Sequence, residues 1–371
     1  MNGAIDIGMG KSARRAYDFD DLSIVSSRRT RDAADVATTW QIDAYEFEVP
    51  IMGSPMDSVS SPTSAVALGR AGGLGVLHLE GLWTRYSDPT ALLEEIAELR
   101  DDQVHRRLAE IYATPVDPGL LGERIRELRD AGVVACGAVT PQRARSLMPE
   151  ILSAELDLVV IQGTVVSAEH VSQTASEPLN LKRFVRELEI PVIVGGCGSY
   201  QAALHLMRTG AAGVLVGAAA GSTSSTARVL GIGGGQATAI ADARAARMRH
   251  LDETGVYVHV IADGGLRTGG DIAKAVVCGA DAVMLGTALA RAAEAPGLGW
   301  HWGMGAVHPT LPRGERLRVG TAAPLDQVLF GPAADPTGST NIVGALRRSM
   351  ALTGYSQLKD LQKADVVVRS P

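Results

Sequence analysis

The sequence predicts a (β/α)8 barrel (TIM barrel), a parallel α/β fold, in a single domain of 371 residues. Three observations predict it. Eight short apolar runs recur along the chain, helical patterns lie between most of them, and apolar residues make up 46% of the total, enough for a large core. The number eight favours closure into a barrel, and a doubly wound open sheet is the alternative.

The eight apolar runs are typical of strands that are buried on both faces. They are bounded by glycine, rich in valine and isoleucine, and do not alternate with polar residues. In chain order they are VPIMG (49–53), GLGVLHL (73–79), VVACGAV (133–139), LDLVVIQG (156–163), PVIVGG (191–196), AGVLVGA (212–218), VHVIADGG (258–265) and AVMLGT (282–287).

The helical patterns between these runs carry start and stop signals. Several open with serine, threonine or asparagine, as helix N-caps do, and several end near glycine. The patterns span 61–72, 140–155, 179–189, 199–211, 238–253 and 268–280.

Two segments do not fit the alternation of strand and helix. Residues 80–131 hold two helical stretches around ATPVDPG (113–119) and predict an expanded crossover. Residues 297–345 are rich in glycine and proline and predict loops over the top of the barrel, where insertions carry function. The tail 345–362 predicts a last helix with a closing turn.

Composition excludes several classes of protein. The formal net charge of −6 gives no basic footprint for nucleic acid. The three cysteines have no zinc-ligand spacing, and their sparse, odd number favours a reducing cytoplasm. The N-terminus lacks the pattern of a signal peptide, and the most apolar stretch, 211–220, is too short to span a bilayer. The cysteines are Cys136, Cys197 and Cys278.

Glycine-rich ends of the last two predicted strands indicate a phosphate site. Strand seven ends in Asp263-Gly264-Gly265 and strand eight in Gly286-Thr287, each just before a helix. In barrels these two loops often bind phosphate through backbone N–H groups, and glycine lets the backbone approach the anion. Tight turns are the alternative interpretation of the glycines. The Asp263 carboxylate could accept hydrogen bonds from a ribose diol, with a capping or turn aspartate as its alternative.

Other polar residues give weaker signals. The run GSTSST (221–226) follows strand six and could bind phosphate or supply a nucleophile, although a flexible turn is the simpler interpretation. No neighbouring base can be identified from the sequence. His301 and His308 could reach the pocket, but a loop histidine is more often solvated.

Together these residues resemble the IMP dehydrogenase and GMP reductase family, over nearly the whole chain from YDFDDLSIV (17–25) to GALRRSM (344–350). The overall pattern is similar to that of the short bacterial members without a regulatory CBS-domain pair. The motifs occur in family order: SPMDSV (54–59), GGLGVLHLE (72–80), GSTSST (221–226), GIGGGQATAI (231–240), IADGGLRTGGDIAKA (261–275), GADAVMLGT (279–287) and GMG (303–305).

The resemblance implies a barrel, a purine nucleoside monophosphate ligand, NAD-dependent oxidation in guanine nucleotide synthesis, and a homotetramer. A monovalent cation is a further candidate cofactor. By motif, the phosphate contacts are Ser222, Gly264, Gly265, Gly286 and Thr287. The ribose contact is Asp263, the residues around the base are Ser54, Met56, Met304 and Gly305, and the candidate NAD contacts are Gln162 and Thr226.

The chain departs from the family at the chemistry. Ser224 occupies the position of the catalytic cysteine, and a serine hydroxyl is a far weaker nucleophile than a thiolate. Cys197 is the nearest candidate replacement. Gln162 stands where the family has an aspartate that binds the NAD ribose. GMGA (303–306) runs almost directly into LPRGERLRVG (311–320), so the flap with its water-activating Arg-Tyr pair is absent.

Two hypotheses therefore compete. The first is an NAD-dependent oxidoreductase of the IMP dehydrogenase type, whose chemistry these substitutions impair. The second is a catalytically inactive purine nucleotide-binding protein with a regulatory role. Both keep the fold and the phosphate site, so only the catalytic residues discriminate between them.

Overall fold

Eight parallel strands form the centre of the protein. The computed structural model describes residues 4–170 and 179–369. Seven of the eight predicted apolar runs contain one of these strands, and the fifth run, 191–196, ends one residue before its strand does. The strands are β1 (Ile51–Gly53), β2 (Val76–His78), β3 (Cys136–Val139), β4 (Leu158–Gln162), β5 (Val192–Cys197), β6 (Gly213–Val216), β7 (His259–Asp263) and β8 (Ala282–Leu285).

The sheet closes on itself. From β2 to β8 each strand pairs in parallel with the next one along the chain. Val283 of β8 pairs with Ile51 of β1, and Met52 forms a parallel bridge with Leu74, two residues before β2. The predicted barrel is therefore confirmed, and the open-sheet alternative is wrong.

Helices surround the barrel where the sequence predicts them. In four of the six patterns the helix begins after a side chain that caps a backbone N–H, namely Ser61, Asn180, Ser199 and Thr268; Asn180 is the second residue of its pattern and the others are the first. In the described residues the helices are α1 (Pro62–Arg70), α2 (Thr90–Glu98), α3 (Asp101–Tyr112), α4 (Pro118–Asp130), α5 (Pro141–Ser153), α6 (Leu181–Glu187), α7 (Tyr200–Met207), α8 (Thr226–Leu230), α9 (Gln236–Thr254), α10 (Gly269–Cys278), α11 (Thr287–Ala290), α12 (Leu325–Phe330), α13 (Ile342–Leu352) and α14 (Leu358–Leu361).

The crossover at 80–131 differs in detail from its prediction. Two helices, α2 and α3, precede ATPVDPG (113–119) and one follows, because Leu99 and Arg100 adopt extended backbone and interrupt the first predicted stretch. The side chains of α2 and α3 do not join the barrel core. They form a second hydrophobic cluster with residues 302–307. That the chain is one domain without a CBS pair stays a prediction.

The segment 297–345 contacts the C-terminal ends of the strands through residues 301–314, where a Cβ on Gly286 would meet His301 and Gly314 bridges to Ser224; that all of it forms loops over the barrel stays a prediction. It contains a two-stranded hairpin, Trp300–His301 with Leu317–Arg318, a 3-10 turn at Met304–Val307, and α12. The tail forms α13 and α14 and ends in Val366–Val368, which pairs with Leu22–Ile24 near the N-terminus.

A hairpin covers the N-terminal end of the barrel. Its strands are Trp40–Ile42 and Tyr45–Phe47. Ile42 is fully buried against Gly213, the first residue of β6, and the Trp40 indole contacts the His259 ring at the start of β7. This arrangement leaves the C-terminal end for a site. None of the helices in the described residues is long and apolar enough to cross a membrane.

Candidate functional site

Three loops meet at the C-terminal ends of β6, β7 and β8. Gly264 and Gly265 have φ values of +98° and +77°, which favour glycine. A Cβ on Gly264 would lie 2.8 Å from Ala220, so the loops after β6 and β7 touch through bare backbone. The hydroxyls of Ser222 and Thr287 are hydrogen-bonded at 2.6 Å and join the loop after β6 to the one after β8. The structure thus brings the predicted phosphate residues together.

The Asp263 carboxylate lies beside these loops at the end of β7. Its Oδ2 accepts a hydrogen bond of 3.0 Å from Nε2 of Gln162 at the end of β4, so the bond crosses the barrel opening. Burial raises the pKa of Asp263 to about 6, and the hydrogen bond from Gln162 opposes that rise. The other oxygen, Oδ1, has no hydrogen-bond partner among the described residues and is available to a ligand.

Gln236 fixes the position of Asp263 from below. This buried side chain at the start of α9 donates to the carbonyl oxygens of Val216 (2.7 Å) and Asp263 (3.1 Å), which end β6 and β7. Gln236 was not among the predicted site residues. Its signal was the motif GIGGGQATAI (231–240), in which the glutamine ends the glycine run.

Residues after β1 lie next to the same loops. Ser54 is buried, and its backbone N–H donates to the Leu285 carbonyl of β8 at 2.9 Å. A Cβ on Gly286 would lie 3.7 Å from Cβ of Ser54, and one on Gly303 would lie 3.2 Å from the methyl group of Met56. Of the predicted base-binding residues, Ser54 therefore lies next to the loop after β8, and Met56 lies next to the segment that carries Met304 and Gly305.

The segment that carries Met304 and Gly305 is short and hydrogen-bonded throughout. Residues 308–313 connect the 3-10 turn to Gly314. The backbone N–H of Arg313 donates to Gly305 at 2.6 Å, and that of Ser225 donates back to the Arg313 carbonyl at 3.0 Å. A Cβ on Gly305 would lie 2.8 Å from the Arg313 carbonyl oxygen, so the two chains could not pack this closely without glycine.

Ser224 sits in a turn without a basic neighbour. Its backbone N–H donates to Gly221 at 3.0 Å, and the residue forms an antiparallel bridge with Gly314. Among the described residues, its hydroxyl has one hydrogen-bond partner, the backbone N–H of Thr226 at 3.3 Å. Thr226 itself is buried at the start of α8. No described side chain is placed to accept the Ser224 proton.

The cysteines do not replace the missing thiol. Cys197 is buried at the end of β5, its Sγ–H donates to the Leu215 carbonyl, and burial raises its pKa to about 12. Burial also raises the pKa of Cys136, which lies in β3. It raises the pKa of Cys278, at the end of α10, to about 11. At neutral pH these thiols stay protonated and are poor nucleophiles.

The two loop histidines have different environments. His301 is only 2% exposed, so the expectation that it is solvated is wrong. Its Nδ1 is hydrogen-bonded to the Ser58 hydroxyl at 3.0 Å, and burial lowers its pKa to about 4, so the ring is neutral at pH 7. Its Nε2 faces Gly286. His308 is exposed, and its Nδ1 accepts a hydrogen bond from the backbone of Leu311 at 3.0 Å, which closes the turn.

A buried polar chain beneath the site was not predicted. The Asp57 carboxylate accepts hydrogen bonds from the Tyr112 hydroxyl at 2.6 Å and from the Leu82 backbone at 3.0 Å. The Trp302 indole N–H donates to the same tyrosine oxygen at 3.2 Å. Asp57 lies within the motif SPMDSV, which could have indicated it. Tyr112 and Trp302 lie in the two insertions and carried no signal.

Comparison with known proteins gives a consistent result. Residues 16–304 match the sequence model of the IMP dehydrogenase / GMP reductase domain. An uncharacterized oxidoreductase of Mycolicibacterium smegmatis is 51% identical to this chain, and the alignment covers 99% of this chain and 100% of that protein. An uncharacterized oxidoreductase of Mycobacterium tuberculosis is 52% identical, and the alignment covers 98% of this chain and 99% of that protein. The inosine-5'-monophosphate dehydrogenase of Methanocaldococcus jannaschii is 24% identical over 97% of this chain and 94% of its own.

A solved structure agrees with these relatives. The crystal structure of an IMP dehydrogenase/GMP reductase-like protein from Corynebacterium glutamicum superposes with a TM-score of 0.94 and 46% sequence identity. The match covers 99% of this chain and 98% of that one.

Proposed function

The chain belongs to the IMP dehydrogenase / GMP reductase family of oxidoreductases, and from this premise we propose that it binds a purine nucleoside monophosphate at the C-terminal ends of its barrel strands. One observation carries the proposal. The glycine loops after β6, β7 and β8 converge within reach of a single carboxylate, Asp263, that keeps one oxygen free.

The three loops suit a phosphate group. Gly264 and Gly265 carry no side chain and have positive φ, so a ligand can approach their backbone closely, and the hydroxyls of Ser222 and Thr287 bind each other. A phosphate between the two hydroxyls would replace that neutral hydrogen bond with charge-assisted ones, which are about twice as strong.

The carboxylate and the segment above it suit the rest of a nucleotide. Asp263 can accept from the two ribose hydroxyls through Oδ1 and the remaining lone pairs of Oδ2. Ser54 and Met56 on one side, and Met304 and Gly305 on the other, would then enclose the purine base. In this arrangement phosphate, ribose and base are bound by separate parts of the barrel end.

The candidate NAD contacts fit less well. The Gln162 amide is bound to Asp263 rather than free, and Thr226 is buried. Neither side chain is placed to bind a dinucleotide ribose, so we derive no step through NAD. Among the described residues no group of three or more His, Cys, Asp or Glu side chains could hold a metal ion, and a monovalent cation stays a prediction.

A second function, nucleotide binding without IMP oxidation, is favoured by the surroundings of Ser224. Its hydroxyl contacts a backbone N–H and no base, and the connection at 308–313 is too short to carry a mobile flap. We propose that guanine nucleotide synthesis through this chain is impaired or replaced by a regulatory role in the cytoplasm.

Nucleotide binding should stabilise the fold. Because the phosphate and ribose residues are intact, IMP, XMP or GMP at a hundred times its dissociation constant should raise the free energy of unfolding by about 2.7 kcal/mol. Thermal unfolding with each nucleotide measures this, and inosine, which lacks the phosphate, is the control that should stabilise the fold less at the same concentration. If no purine monophosphate raises the melting temperature at millimolar concentration, the site is assigned wrongly.

The assembly should be a homotetramer, as the family resemblance implies. Most homo-oligomers have closed symmetry, and tetramers are among their common forms. Light scattering at micromolar protein should give a mass about four times that of one chain. A monomer under these conditions contradicts the expectation and leaves the nucleotide site unaffected.

A further inference from the structure

The second hydrophobic cluster joins the two insertions of the chain. We call residues 82–112, which include α2 and α3, the helical platform. Its buried apolar side chains form one cluster with three buried residues of the segment 300–316, and Trp300 and Met304 of the same segment pack against that cluster. From the platform they are Leu82, Leu93, Ile96, Val104, Leu108, Ile111 and Tyr112, and from the segment Trp302, Ala306 and Val307.

Arg316 ties the end of that segment to the platform. Its side chain is only 2% exposed. The guanidinium donates to the carbonyls of Ile96 and Leu99, the latter at 2.6 Å, and pairs with Asp101 at 3.1 Å. These carbonyls end α2 and have no partner within the helix, so the arginine caps α2 at the point where α3 begins. The guanidinium also lies 3.9 Å from the centre of the Trp300 ring.

Hydrogen bonds at the other end complete the attachment. Tyr112 of α3 links Asp57 to the Trp302 indole, and the Ser58 hydroxyl bonds both the N–H and the carbonyl of Trp302 at 3.1 and 2.9 Å. The Nδ1 of His105 is 3.3 Å from the Ala306 carbonyl. Met304 and Gly305 therefore lie between two attachment points, one at Trp302 and one at Arg316.

We infer that the helical platform holds the base-binding segment in place, and that Arg316 is a positioning residue for the nucleobase. This inference rests on the proposed function, since it concerns the base half of that site. The phosphate and ribose half is fixed differently. Gln236, at the start of α9, is hydrogen-bonded to the ends of β6 and β7, and Gly264 packs on the loop after β6.

The separation gives a test with two ligands. IMP uses all parts of the site, whereas ribose 5-phosphate lacks the base. In Arg316→Met the cap of α2 and the ion pair are lost, and the segment leaves its binding position for part of the time. The apparent affinity then falls by the fraction that remains competent. By titration calorimetry we expect IMP to bind about tenfold more weakly and ribose 5-phosphate to change by less than about twofold.

Further variants control for a loss of folding. Arg316→Lys keeps the charge but not the planar fork, and should fall between the wild type and Arg316→Met. Tyr112→Phe removes only the hydroxyl that links Asp57 to Trp302, and should show the same selective loss at a smaller size. Arg318→Met is the matched control, because Arg318 lies two residues further along the chain and is exposed. It should bind both ligands as the wild type does.

Hydrogen exchange separates positioning from general instability. In unliganded Arg316→Met, amides of residues 304–315 should exchange faster, while those of β7 stay unchanged. The inference would be overturned if Arg316→Met weakened the binding of IMP and of ribose 5-phosphate equally. It would also be overturned if neither Arg316→Met nor Tyr112→Phe weakened the binding of IMP. In both cases the proposed function would stand. A wild-type protein that binds neither ligand would overturn both.

Discussion

Asp263→Asn should weaken binding of a purine nucleoside monophosphate about 10- to 100-fold. The change keeps the size of the side chain but removes the negative charge and one of two acceptor oxygens. A hydrogen bond to a charged group contributes about 1.5–3 kcal/mol, which corresponds to this range of affinity. Calorimetric titration of IMP measures the loss.

A ligand without one ribose hydroxyl serves as the matched control. Wild-type protein should bind 2′-deoxy-IMP more weakly than IMP, whereas Asp263→Asn should discriminate far less between them, because the pair of changes removes the same interaction. If Asp263→Asn lowers the affinity for IMP and the affinity for 2′-deoxy-IMP by the same factor, Asp263 acts on the fold and not on the ribose.

The same carboxylate sets a pH dependence with opposite signs for binding and for stability. Only ionised Asp263 can accept from both hydroxyls, so affinity should rise as the pH passes about 6, the value to which burial raises its pKa. In the unliganded protein the raised pKa means that the folded state binds the proton more tightly than the unfolded state. Its contribution to stability is therefore full at acid pH and falls as the pH rises to about 6.

Two variants isolate this titration from that of the nucleotide phosphate, whose second pKa is also near 6. Asp263→Asn should retain only the dependence due to the phosphate. Gln162→Leu removes the hydrogen bond that opposes the rise, so its midpoint should lie above 6. A midpoint unchanged in both variants would show that the phosphate alone titrates.

Steady oxidation of IMP with NAD by the unmodified protein should be very slow or absent. Ordinary enzymes turn over at about 1–1000 per second. Here the hydroxyl of Ser224 has no base beside it, and general acid–base assistance alone is typically worth about 10²- to 10⁴-fold. The absorbance of NADH measures the rate. Steady turnover at about 1 per second or more would contradict this prediction, and His301, neutral and facing Gly286, would be the first position to replace.

Ser224→Cys tests whether the nucleophile is the only missing part. The thiol restores the family residue, but no flap is present to activate water, so we expect at most one NADH per chain and a covalent adduct detectable by mass spectrometry. Ser225→Cys is the matched control, because it places a thiol one position further along the same loop. This variant should form no adduct. Repeated turnover by Ser224→Cys would show that the short connection at 308–313 suffices for hydrolysis.

The barrel could be predicted because its signal is local. A strand buried on both faces must be apolar along its length, and in each of the eight runs this apolar pattern can be recognised from a few consecutive residues. The glycine loops are equally local, since a positive φ at Gly264 and Gly265 or a close backbone contact requires that residue type at that place.

Contacts between distant segments could not be predicted in this way. Gln162 and Asp263 are 101 positions apart, and Arg316 and Leu99 are 217 apart. Whether a polar side chain is a ligand contact, a cap or a solvated residue depends on what packs against it. His301 shows this clearly, because its loop position indicated solvent and the packing of its segment on Ser58 buried it.

The hydrogen-bonded connection at 308–313 also bears on how quickly a bound nucleotide would leave. Gly305 and Ser225 hold Arg313 through backbone bonds, so this edge of the site has no long lid whose opening must precede release. Residence time then depends on the affinity and on the association rate constant. With association at about 10⁶ M⁻¹s⁻¹ and micromolar binding, a ligand stays for about a second. Occupancy of such a site follows the cellular nucleotide concentration almost without delay.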